Sequence, residues 1–124
     1  MTAPWPRELK VSPARDVLTI GFESGEMVHL SAEYLRVESP SAEVQGHAPS
    51  QRKTIGGKRT VHIEKLEPVG NYAVRIVFSD GHDSGLYSWD WLHHLAHEHE
   101  RLWPAYLSAL AQKGLNRDEA GERI

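Results

Sequence analysis

Residues 60–92, TVHIEKLEPVGNYAVRIVFSDGHDSGLYSWDWL, carry the pattern on which the fold turns. Two stretches rich in β-branched and aromatic residues, 60–66 and 72–78, flank Gly70-Asn71, a pair suited to the positive φ of a tight hairpin turn. Val74, Ile76 and Phe78 fall on one side at period two, with Arg75 on the other. Asp80-Gly81 predicts another turn, leading into a short strand at 85–87. Ser88 predicts a helix N-cap, its hydroxyl accepting from an early amide, and Asp90 suits the positive end of that helix.

Working outward, the N-terminal third predicts a short strand at 8–11, then a hairpin. Its arms are 17–22 (VLTIGF) and 26–30 (EMVHL), around Glu23-Ser24-Gly25. Ser31 can cap a short helix through Ala32, Glu33, Tyr34 and Leu35. On the C-terminal side, Leu92, Leu95, Ala96 and His99 share one helical face. Pro104 lacks an amide hydrogen, which predicts a kink or break near Trp103. A final helix over about 104–113 is then expected to bury Tyr106, Leu107 and Leu110, with Gly114 as its left-handed stop. The expected class is α+β, a small antiparallel β-sheet of two or more hairpins covered by C-terminal helices. One domain is expected over residues 1–115, with a polar, fraying tail over 116–124.

Length and composition narrow the function. A chain of 124 residues can bury one core and is too short for two. Its hydrophobic share of 40% and charged share of 25% are ordinary for a globular domain. The start, MTAPWPRELK, lacks the pattern of a secretory signal, and no apolar run could span a bilayer, so a cytoplasmic, membrane-free protein is expected. A net charge of −3 argues against a nucleic-acid partner. The absence of cysteine excludes disulfides, thiolate nucleophiles and thiolate-held zinc or iron–sulfur clusters within the chain. Eight histidines are the one compositional sign of metal or proton chemistry.

Residues 38–59 lose all periodicity and are punctuated by Pro40, Gly46, Pro49, Gly56 and Gly57. Such long connections within compact domains tend to be functional or mobile. Arg36, Ser39, Ser41, Glu43, Gln45 and His47 make this a candidate binding loop, with short polar side chains directing hydrogen bonds outward. The basic stretch that follows, with Arg52, Lys53, Lys58 and Arg59, reads as a solvated loop. The turn histidine His82, between Asp80 and Asp83, could hold a metal or a proton, although a plain turn with aspartate-to-backbone bonds explains the same residues. His93 and His97, at i and i+4, or His94 and His97, at i and i+3, could chelate a transition ion, but no third ligand is visible and a solvated face is expected.

Other templates are absent. Arg52 occupies the first glycine position of a P-loop and Arg59 follows Lys58, so no phosphate cradle is implied. There is no H-E-x-x-H pair and no G-x-S-x-G elbow. Trp5, Trp89, Trp91 and Trp103 are read as core or interface anchors.

The segments PRELKV, SAEYLRVESPSAEVQGH and EPVGNYAVRIVFSDGHDSGLYSWDWL, with the helix after them, resemble the gamma-butyrobetaine-hydroxylase-like N-terminal domain family, over roughly residues 6–110. The chain looks like a stand-alone bacterial member. The resemblance implies a small β-rich domain with helices. It occurs in iron- and 2-oxoglutarate-dependent oxygenases, as stand-alone proteins, and beside P-loop ATPases that carry iron–sulfur clusters. In the oxygenase members it holds a structural zinc through C-x-C-x-x-C after a Leu-Arg and a histidine in D-x-H-x-S. Those positions fall here on Ser39, Ser41, Val44 and His82. The thiolate zinc site is therefore expected to be absent or rebuilt from Glu43, His47, Asp80 or Asp83 beside His82, a donor set better suited to iron or another divalent metal.

The leading reading is an accessory binding module whose partner is an iron–sulfur carrier or an iron enzyme. A metal-binding protein using His82, His47, Asp80 and Asp83 is the alternative. An enzyme with His82 and Asp80 as a general-base pair is third, because no activated nucleophile or cofactor motif accompanies them. The first hairpin could also pair edges in a homo-oligomer.

Overall fold

The computed structural model describes residues 4–46 and 51–118. Six strands and four helices follow in the order β1 (Pro6–Val11), β2 (Val17–Phe22), β3 (Met27–Ser31), α1 (Ala32–Val37), α2 (Ala42–Gln45), β4 (Ile63–Val69), β5 (Ala73–Phe78), β6 (Leu86–Ser88), α3 (Trp89–His97) and α4 (His99–Gln112). The α+β class is as expected, but the strands form two sheets. One has the order β1-β2-β3 and the other β4-β5-β6, each antiparallel throughout.

The period-two apolar residues explain how the sheets meet. Leu18, Ile20 and Phe22 of the first sheet and Val74, Ile76 and Phe78 of the second are essentially inaccessible to solvent and belong to one core. Leu35 of α1 and Leu92 and Leu95 of α3 complete it. Burying such side chains contributes roughly 1.5–3 kcal/mol each before the entropy of ordering them is subtracted. Arg15 ties the sheets together at their margin. Its Nε and Nη2 each donate to a β4 carbonyl, Ile63 O and Glu64 O, at 2.6 Å, and Ile63 N donates to Arg15 O at 2.8 Å. These bonds hold Arg15 at φ 63°, a region costly for a residue with a Cβ.

The predicted caps form. Ser31 accepts from Tyr34 N at 3.0 Å, and Ser88 accepts from Trp91 N at 3.1 Å. Two buried tyrosines then pin helices to the rest of the chain: Tyr34 Oη donates to Leu95 O, and Tyr87 Oη to Leu35 O, both at 2.6 Å. The expected break near Trp103 is displaced. The chain interrupts its helix at Glu98, and α4 runs from His99 through Pro104, whose exposed ring lies inside the helix. Glu98 O already accepts from Arg101 N and Leu102 N, so α4 is started before the proline, which removes a single ladder bond. Leu107 also departs from expectation. It is 38% exposed while Tyr106 and Leu110 are buried, because the face of α4 turned inward is set by Tyr106 and Trp103 packing toward Val37. Gly114 does take the left-handed conformation, at φ 68°.

Residues 116–118 make specific contacts with the body of the domain. Arg117 donates to both carboxylate oxygens of the buried Glu33, at 2.8 and 2.7 Å, and its guanidinium lies over the Trp103 ring. Gly57 N donates to Asn116 O, and Arg59 N to Arg117 O. The polar composition that suggested fraying over 116–124 is, over 116–118, a set of partners for the basic segment. Pro104→Ala should restore the missing bond and stabilise the protein by about 1–2 kcal/mol after the looser unfolded chain is allowed for. A urea midpoint that falls or stays put would contradict this account of α4.

Candidate functional site

The turn between β5 and β6 lies against the segment after α1, and Ser39, Ser41 and His82 are buried between them, while Glu43, Asp83 and Ser84 stay at the surface. Ser39 Oγ lies 2.9 Å from His82 Nε2, and both residues are buried. His82 Nδ1 faces Glu43 Oε2 at 3.9 Å. The tautomer with its proton on Nδ1 fits both neighbours, with the Ser39 hydroxyl donating to Nε2. A second chain of bonds runs beside it. Ser41 Oγ accepts from Glu43 N at 3.1 Å as the cap of α2, which leaves its hydroxyl hydrogen for Ser84 Oγ at 2.8 Å. Ser84 in turn donates to Glu43 Oε1 at 2.5 Å.

Gly85 makes this closeness feasible. A Cβ there would sit 2.6 Å from Ser39 Oγ and 3.0 Å from the Tyr87 ring. Gln45 closes the segment on itself, donating through Nε2 to Ser39 O at 2.8 Å. The loop is thus a partly buried plug, not the outward-facing set of donors its composition suggested. His47 lies outside the described residues.

Cations hold the plug in place. Asp80 Oδ2 accepts from Arg36 Nε at 2.8 Å and Lys58 Nζ at 2.5 Å, while Oδ1 accepts from His82 N at 3.1 Å. Arg52 reaches Glu38 at 2.7 Å and Gln45 at 3.1 Å. The basic stretch read as solvated therefore supplies Arg52 and Lys58 to the site. Those two roles were hidden because their acceptors lie 14 and 22 residues away along the chain. Arg36 Nη1 is buried with no hydrogen-bond partner among the described residues.

Electrostatics follow from this packing. Burial would raise the Asp80 carboxyl, but hydrogen bonds from Lys58, the His82 amide and Arg36 outweigh it and hold the group at about 2. Burial and then the Arg36 charge depress the His82 imidazole, against the opposing pull of Glu43, Asp80 and Asp83. His82 is therefore neutral at physiological pH. Glu43 lies below the ordinary carboxylate range chiefly through the Ser84 hydrogen bond.

The sequence had grouped His82 with Asp80 and Asp83 as ligands. All three sit on one turn, but Asp80 is engaged with Arg36 and Lys58, and Asp83 faces Arg75 at 3.8 Å. Nor does the neighbourhood fit a tetrahedral thiolate zinc. Ser39 and Ser41 carry hydroxyls that stay protonated at neutral pH, Val44 carries no donor, and the Nε2 of His82 is already bonded.

Residues 9–93 match the family model described as gamma-butyrobetaine hydroxylase-like, N-terminal. The chain belongs to that family. None of the curated proteins matches it. Two NMR solution structures are similar, at 41% and 42% identity with TM-scores of 0.79 and 0.80, each covering 98% of this chain and 94% of the other. A crystal structure of a protein of unknown function in the DUF971 family, from Acidithiobacillus ferrooxidans, is 33% identical with a TM-score of 0.62. It covers 73% of this chain and 91% of its own.

One further surface feature accompanies the polar cluster. A groove of about 270 Å³, mostly apolar, runs between β1 and the second sheet, lined by Pro6, Leu9, Pro68, Val74 and Trp89 with Arg7 and Glu8. Trp5, next to Pro6, is 50% exposed. Among the described residues, no helix is long and apolar enough to cross a membrane.

Acid should weaken the fold in two stages. His82 is held neutral while an unfolded histidine is not, so stability declines as pH falls below about 6.5. The Asp80 contribution is complete above its ordinary value of 3.8 and disappears as pH falls toward about 2. Asp80→Asn should cost about 1–2 kcal/mol at neutral pH, an amount reduced by partial solvent screening, and should flatten the lower stage, while loss of a charge that opposes the depression of His82 should deepen the upper one. Acid titration of the two proteins followed by circular dichroism checks both statements; identical curves below pH 4 would refute the role given to Asp80.

Proposed function

We propose that this chain is an accessory binding module that acts by contact with a protein partner, an iron enzyme or an iron–sulfur carrier. The reading rests on one observation above all. The side chains at the family's zinc position are engaged with one another: Ser39 with His82, and Ser41 through Ser84 with Glu43. Chemistry that would need a free nucleophile or an open coordination position has little support in such a centre, whereas a rigid surface does. The choice of partner class is motivated by the hydroxylase named in the family's description.

The apolar groove beside Trp5 is the surface proposed for that contact, with Arg7 and Glu8 at hand to set register through charge. A chain with no cysteine needs no oxidising compartment, so the cytoplasm is the proposed place of encounter. The alternative, a metal held by His82 with carboxylates, draws less support because Asp80 and the imidazole Nε2 are already committed.

The test is affinity capture from native extract with the wild-type protein and with Trp5→Ala and Arg7→Glu. An iron-containing protein should be recovered near stoichiometry with the wild type and at least fivefold less with either variant. Recovery of no specific partner, of one without iron, or of equal amounts with all three baits would count against the reading.

A further inference from the structure

The histidine chemistry left unused by the polar plug lies on α3. His93 and His97 stand one turn apart, and their rings are 4.1 Å apart between centroids. Both point their Nε2 atoms at a single carboxylate from the first hairpin. His93 Nε2 lies 3.1 Å from Glu26 Oε1, and His97 Nε2 lies 2.7 Å from Glu26 Oε2. The three donor atoms all fall within 4.8 Å of one another, and this is the group of three that could hold a metal ion among the described residues.

Glu26 is not a chance neighbour on a loose loop. Its carbonyl accepts from Phe22 N at 2.9 Å, and Gly25 N closes the turn onto Phe22 O. Phe22 is buried and packs edge-on against the His93 ring at 5.3 Å. The hairpin and the helix are therefore registered by core packing, with the carboxylate brought over the two imidazoles. Among the described ion pairs, Glu26 meets these two histidines and no lysine or arginine.

We propose that Glu26, His93 and His97 form a binding site for a divalent transition cation of the zinc, nickel and copper group. Two imidazole nitrogens disfavour calcium and magnesium, which take oxygen donors, and favour borderline ions. Metal–ligand bonds of about 2.0–2.2 Å in a tetrahedral arrangement separate ligands by about 3.3 Å, so the nitrogen–oxygen spacings of 3.1 and 2.7 Å would open by about 0.2 and 0.6 Å, with the two Nε2 atoms already within 4.8 Å of each other. The cation replaces the hydrogens that the imidazoles now direct at the carboxylate. Half-exposure of His97 leaves at least one coordination position to water or an outside ligand. The site is independent of His82 and of the docking groove, and it stands or falls separately from the proposed function.

Tag-free protein stripped with a chelator is titrated with Zn(II) and with Ni(II) by calorimetry at pH 7.5. One equivalent should bind the wild type, with affinity reduced at least tenfold in His97→Ala and about tenfold in Glu26→Gln. His62→Ala, at an exposed histidine paired elsewhere, should bind as the wild type does. Circular dichroism confirms that each variant is folded, and nitrogen shifts of the His93 and His97 rings should move on metal addition. Wild-type affinity equal to that of His97→Ala would overturn the site. Unchanged affinity in Glu26→Gln would reduce it to an ordinary histidine pair and overturn the three-ligand proposal.

Discussion

Asp80 holds the plug to the scaffold. One carboxylate accepts from Arg36 at the end of α1, from Lys58 in the long connection, and from the amide of His82 in its own turn. Two segments distant in sequence are thereby fixed to the turn after β5. Two cations around one anion leave a positive excess, which the Glu43 carboxylate, itself lowered by the Arg36 charge, partly offsets. Removing the anion would leave Arg36, already short of one acceptor, buried beside another unmatched charge.

The same geometry explains how the domain stands without the thiolate zinc cage that the family resemblance implied. A thiolate cage gains its strength from the metal, and a serine cage has none to gain. It must instead give every hydroxyl a donor and an acceptor, since an unmet buried polar group costs about 1–3 kcal/mol. Ser39, Ser41 and Ser84 meet that demand by sharing His82, the Glu43 amide and the Glu43 carboxylate. A neutral imidazole is what such a cluster requires, and burial beside Arg36 supplies it.

Much of the framework was legible before any coordinates. The hairpin arms at 17–22 and 72–78, the caps Ser31 and Ser88 and the stop at Gly114 follow from local rules, because they depend on neighbours a few residues away. The start of α4 was not legible. Proline marks where a helix loses a bond, but Glu98 ends α3 through backbone geometry that no residue type advertises. Leu107 shows the same limit, since which side of a helix is buried depends on where its partner lies.

The order of polar and apolar residues determined by itself that there would be hairpins, an α+β class and a chain without thiolate chemistry, since these follow from periodicity and composition. It also named Ser39, Ser41 and His82 as belonging together, through family resemblance. Only the tertiary structure decided that the polar loop faces inward, that Arg52 and Lys58 serve it, and that Glu26 sits over His93 and His97. The physical reason is range. Secondary structure arises from contacts within a few residues, whereas Glu26 and His93 are 67 positions apart and meet because the core between the two sheets allows a single registration of hairpin on helix.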